Sequence, residues 1–100
     1  MIAIKQDEIM KWQNQVPDDK VFWCCDGRVF RSLNDLATAL KEMPEEVYQR
    51  HVDGDKNDFT NWVHDVVGDV TLTRRMRKAR SSVTAARRVT ERLKWLRERT

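Results

Sequence analysis

The sequence predicts an α+β fold, mainly α: a small β-hairpin, then short helices, then a long basic C-terminal helix. Three observations carry this. Residues 20–31, KVFWCCDGRVFR, hold the clearest run of strand-forming residues in the chain, built around Asp26-Gly27. The segments on either side of it place apolar residues at helical spacing. From Val70 to Thr100 there is neither glycine nor proline.

The first helix is expected within residues 2–15, where Ile2, Ile9, Trp12 and Val16 are loosely helical in spacing. Pro17-Asp18-Asp19 ends it, because proline restricts the residue before it and the acids favour a turn. The hairpin comes next, with strands at about 20–25 and 28–31. Asp26-Gly27 suits the two positive-φ positions of a type I′ turn. Two strands alone are marginal in water, so the hairpin must pack on helices.

Residues 32–43, SLNDLATALKEM, open with Ser32 and Asp35, a variant of the capping box with Asp in place of Glu or Gln. Leu33, Leu36, Ala37, Leu40 and Met43 then mark one helix face. Pro44 closes that helix and is expected to open the next as its first residue, with Glu45 and Glu46 favourably placed against the helix dipole. Val47, Tyr48, His51 and Val52 form the apolar side of this second helix. DGDKND, residues 53–58, reads as a polar loop, and Asn57 or Asp58 as the cap of a helix with the face Phe59, Trp62, Val63 and Val66. Gly68 is a stop, and Asp69 is a cap for the next helix.

The last segment carries the stripe Leu72, Met76, Ala79, Val83, Ala86, Thr90, Leu93, Arg97, with Val89 and Leu96 continuing a parallel line. One helix of about 28 residues would be roughly 42 Å long. It must therefore fold back at Ser81-Ser82, pair with a partner, or stand in solvent.

The 100 residues allow one domain, and charge divides it. The net charge of +3 conceals an acidic body and a basic tail. Residues 1–73 hold eight Lys/Arg against fourteen Asp/Glu, whereas residues 74–100 hold eleven against two. A compact body, residues 1–72, with the hairpin at about 20–31, is thus joined to a basic helix, 73–100, as part of one domain or as an extension. No apolar run approaches the ~20 residues that span a bilayer, and residues 1–11 lack a basic region followed by an apolar stretch. A cytoplasmic protein without a membrane partner is expected.

Candidate chemistry is sparse. Cys24 and Cys25 are adjacent, and neighbouring strand residues point to opposite faces. Neither a structural disulfide nor a zinc site built from Cys24, Cys25, His51 and His64 is expected from such spacing. An EF-hand started at Asp53 would want Gly and Glu where Asp58 and His64 stand, which removes calcium. A pairing of Cys24 or Cys25 with His51 is the one nucleophilic arrangement available, and spacing gives no reason for it to form. There is no glycine-rich phosphate loop and no hydrolase signature. The chain therefore reads as a non-enzyme with no metal and no cofactor.

The stretch from Phe22 to about Leu72 resembles the DUF5752 family, a domain of unknown function seen mostly in archaea. The resemblance rests on Cys25-Asp26-Gly27, Ser32-Leu33, Leu36, Leu40, Met43, His51-Val52, Lys56-Asn57-Asp58-Phe59, Asn61-Trp62-Val63, Asp65-Val66 and Gly68-Asp69. It covers half the chain and implies a small, mainly helical cytoplasmic module with no assigned catalytic residues. After Asp69 the pattern departs, with Val70-Thr71-Leu72-Thr73 where the family leads one to expect a Leu-Ala pair. The arginine-rich end lies outside it.

Function is accordingly sought in that end. Arginine outnumbers lysine nine to two there, and the guanidinium fork matches phosphate and carboxylate bidentately. The expectation is a binding module in which Arg74, Arg77, Lys78, Arg80, Arg87, Arg88 and Arg92 contact nucleic acid through phosphates. The alternative is a protein-interaction or self-association module. There Leu72, Met76, Val83, Leu93 and Leu96 form a seam for a second copy or an acidic partner. Trp95 is open to either use, stacking on a base or packing in the seam. The plain reading is a solvated basic helix with no partner.

Overall fold

The computed structural model describes residues 5–100, a body of 38 × 28 × 22 Å. Among the described residues, six helices and two small antiparallel ladders make up the fold, α+β and mainly α as predicted. Helix α1 spans Gln6–Gln13 and buries Ile9, while Ile2 lies outside the described residues. A 3-10 turn, Asp18–Lys20, leads to strands β1 (Phe22–Trp23) and β2 (Val29–Phe30).

The hairpin is real but shorter than predicted, and its turn is of another kind. Phe22 pairs with Phe30 and Trp23 with Val29. The Cys24 amide then donates to the Arg28 carbonyl and the Gly27 amide to the Cys24 carbonyl. Cys25, Asp26 and Gly27 thus form a three-residue loop, and only Gly27 has a positive φ, 95°. A type I′ turn needs that conformation at two positions. Here Asp26 stays at negative φ and its carboxylate accepts from the Arg28 amide.

Helix α2 (Leu33–Glu42) starts as the capping signal predicts. Ser32 Oγ accepts from the Asp35 amide, and the Asp35 carboxylate reaches back to the Arg31 amide. Pro44 is the cap of α3 (Glu45–His51) rather than its first residue. The expected polar loop at 53–58 is itself a small hairpin, β3 (Val52–Asp53) and β4 (Lys56–Asn57), turned by Gly54 at φ 58°. Glycine at the first central position is what a two-residue hairpin turn of this hand requires. Asn57 caps α4 (Asp58–Trp62) through its side-chain oxygen. A π-helical stretch, Val63–Val67, continues it. Its wider turn brings Val67 into the core and leaves Val66 at the margin.

The long C-terminal helix is two helices, α5 (Val70–Arg77) and α6 (Ser82–Arg97). Of the three possibilities the sequence leaves open, folding back is the one realised. Ser81 adopts extended backbone and its Oγ accepts from the Thr84 amide, an N-cap that a helix interior would waste. Glu45 supplies a second cap from α3. Its carboxylate accepts from the Ser82 amide at 2.7 Å and from Ser82 Oγ at 2.6 Å. The break lets α5 and α6 bury their apolar sides in one core with α2, which packs most extensively against α6. Residues 5–72 and 73–100 therefore share a single core.

Glu45→Gln is expected to cost roughly 1 kcal/mol at neutral pH, the usual worth of a cap at an exposed site. Hydrogen bonds from Ser82 hold the Glu45 carboxyl below the usual glutamate range. A lowered folded value stabilises above the unfolded value and is lost as pH falls through the folded one. The stability gap between wild type and Glu45→Gln should therefore narrow in acid. Urea titrations at neutral and acid pH that gave the same gap would remove the carboxylate's role.

Candidate functional site

The basic segment occupies α5, the 78–81 turn and α6. Arg74, Arg77, Lys78, Arg80 and Arg87 are exposed and Arg88 is half-buried. Among the described residues, Arg92 is the only one of the eleven cations between 74 and 100 held in an ion pair. Arg77 and Arg80 lie at the α5–α6 turn, against which the β3–β4 hairpin presents Lys56. Together they line a cleft of about 460 Å³, with the amides of Gln49, Asn57 and Asn61 and one carboxylate, Asp55. Three cations beside side-chain amide donors suit an oxyanion that offers several acceptor oxygens. Lys56 comes from outside the tail, and no spacing rule in the sequence joins it to Arg77.

Arg92 does not belong to this surface. Its side chain is 3% exposed, and Nε and Nη2 donate to the two carboxylate oxygens of Asp69 at 2.7 and 2.9 Å. Asp69 is wholly buried and also caps α5 by accepting from the Leu72 amide. The Arg92 guanidinium lies 4.5 Å from the centre of the Trp95 ring and 5.4 Å from that of Trp12. A buried carboxylate needs a counter-charge, and α6 supplies one from its inner face. Arg99 lies 3.7 Å over Trp95, so that ring is engaged within the chain.

The predicted seam is internal too. Leu72, Met76, Leu93 and Leu96 are buried in the core, while Val83 is 73% exposed. The break at 78–81 moves the buried face of α6 onto Ala85, Ala86, Val89, Leu93 and Leu96. The five seam residues therefore do not form one exposed interface, because all but Val83 are already packed within the chain.

A second constellation is one the sequence gives no reason to expect. Cys24, just past β1, and His51, the last residue of α3, bring Sγ and Nε2 to 3.6 Å. Nε2 also accepts from the Cys25 amide at 3.1 Å, and Nδ1 lies 3.0 Å from Asp58 Oδ2. Lys56 Nζ is 3.6 Å from that same oxygen. The Cys25 Sγ joins the group, so that both sulfurs and one His51 nitrogen lie within 4.8 Å of one another. The two cysteines converge because the strand ends at Trp23 and Cys25 sits in the turn. Strand alternation therefore does not apply to them. They remain free thiols. Burial pushes the Cys24 thiol up to about 11, which disfavours a nucleophilic thiolate. His64 is elsewhere, hydrogen-bonded to Asp65.

Comparison with protein-family models, with curated proteins and with solved structures found no match. The resemblance of residues 22–72 to DUF5752 thus rests on the quoted residues alone. Several of these have structural work: Asn57 and Asp69 are caps, Phe59 and Val63 are core, and the Trp62 indole donates to the Lys20 carbonyl. Among the described residues no helix is long and apolar enough to cross a membrane.

Proposed function

We propose that the chain is a non-enzymatic binding module whose α5–α6 surface contacts nucleic acid through its phosphates. The observation that supports this most is that Arg77 and Arg80, which have no carboxylate partner among the described residues, line one cleft with Lys56. Of these, only Lys56 has a carboxylate, Asp58, within reach. Arg74, Lys78 and Arg87 are further exposed cations of α5, the 78–81 turn and α6. Phosphate contacts of this kind set affinity and register but carry no sequence information. The seam-mediated association that the sequence also suggests is less well supported, since most of its side chains are already packed within the chain.

Binding of the purified protein to duplex DNA and to RNA, measured against salt, tests this. Each neutralised duplex phosphate contributes about −0.9 to the slope of log K against log salt. Arg77→Glu with Arg80→Glu should weaken binding more than tenfold and flatten the slope by about 1 to 2. Both residues are exposed, so the fold should persist. Absence of binding to either nucleic acid at low salt would overturn the proposal, as would an unchanged slope in the variant.

A further inference from the structure

We propose that Cys24, Cys25 and His51 form a zinc site, with Asp58 as the carboxylate that orients the histidine. The two sulfurs and a His51 nitrogen already lie within 4.8 Å of one another. Zinc holds thiolate sulfur at about 2.3 Å and imidazole nitrogen at about 2.0–2.1 Å, so a tetrahedral ion separates S and N by about 3.5 Å. The Cys24 Sγ to His51 Nε2 distance is 3.6 Å.

The histidine is prepared for this role. Asp58 accepts a 3.0 Å hydrogen bond from Nδ1–H, and the Cys25 amide donates to Nε2, so the Nε2 lone pair lies toward the cysteines. A carboxylate behind the imidazole is the usual support of a metal-binding histidine, fixing its tautomer and ring orientation. Zinc exchanges that one amide hydrogen bond for a coordinate bond. Two thiolates balance the charge of the ion, and their protons are released on binding. Two sulfurs and an imidazole favour zinc over magnesium or calcium, which take oxygen ligands. Cys25 is exposed, giving the ion a route in and leaving the fourth position to water. The bound metal would clamp the Cys25–Gly27 turn to the end of α3.

The test is titration of the reduced, oxygen-free protein with cobalt(II), followed by displacement with zinc. The expected result is one equivalent of cobalt with a thiolate-to-metal charge-transfer band and strong tetrahedral visible bands, both bleached by one equivalent of zinc. Cys25→Ser and His51→Gln should each abolish this spectrum. Cys25 is exposed, so its variant tests the site without disturbing the core, and circular dichroism checks the fold. Asp58→Asn should keep a tetrahedral spectrum with affinity weakened about 10–100-fold. His64→Ala should bind as wild type does. No charge-transfer band at saturating cobalt would overturn the proposal. So would a band that survives Cys25→Ser unchanged or disappears in His64→Ala, and unaltered affinity in Asp58→Asn would remove the carboxylate from the site.

Discussion

Arg92→Met is expected to destabilise the fold by about 3–5 kcal/mol, the cost of leaving a buried charge without its partner. Asp69 is wholly buried, and its counter-ion would be gone while its cap on α5 remained. Asp69→Asn should cost a similar amount from the other side, with Arg92 then unpaired between Trp12 and Trp95. The double variant should be less damaging than the sum, because neither charge is left stranded. Denaturant titrations of the four proteins measure this as a double-mutant cycle. A loss below about 1 kcal/mol in Arg92→Met would mean that the guanidinium is solvated and the pair weak. The contrast with Arg77→Glu is sharp. That change should leave stability nearly untouched and act on binding, although both residues belong to the same run of arginines.

Phe59→Ala is expected to cost about 3–5 kcal/mol, as for a large aromatic removed from a tight core. Phe59 is completely buried at the centre of an aromatic cluster. Its ring stacks with Phe22 at 5.1 Å and Tyr48 at 5.6 Å, and the His51 ring is 5.0 Å away. One side chain therefore joins β1, α3 and α4. The same change should loosen the seat of His51 and weaken the proposed zinc site, whereas Arg92→Met should not. Unfolding curves give the first effect and cobalt titration of the folded protein the second. A Phe59→Ala protein as stable as wild type would show that the cluster collapses without a cavity.

Much of the local structure is legible in the residues themselves. Ser32, Asn57 and Asp69 each cap a helix immediately C-terminal to them, and a cap is a contact between near neighbours. The apolar face of α2 is likewise read correctly, because helical spacing alone selects it. The turn at Gly27 is legible in place but not in type. Asp-Gly permits more than one loop, and the pairing of Cys24 with Arg28 chooses between them.

The basic surface divides along the same line. That residues 74–100 are strongly cationic comes from counting, and nothing in the fold alters it. Counting does not show which cations remain available. Arg92 and Arg88 stand on adjacent turns of one helix, yet the first is buried against Asp69 and the second is half-exposed. The seam also misleads, because spacing shows which residues want to be buried and not against what. Ser81 and Glu45 together end the helix, and the core then claims Leu72, Met76, Leu93 and Leu96.

The sequence by itself determined the caps at Ser32, Asn57 and Asp69, the apolar face of α2, the place of the β1–β2 hairpin and the charge asymmetry, which rest on near neighbours or on composition. Tertiary structure alone decided the Asp69–Arg92 pair, the cleft that joins Lys56 to Arg77 and Arg80, and the meeting of Cys24, His51 and Asp58. Each of these links different elements, and their partners are set by how hydrophobic faces pack rather than by any spacing along the chain.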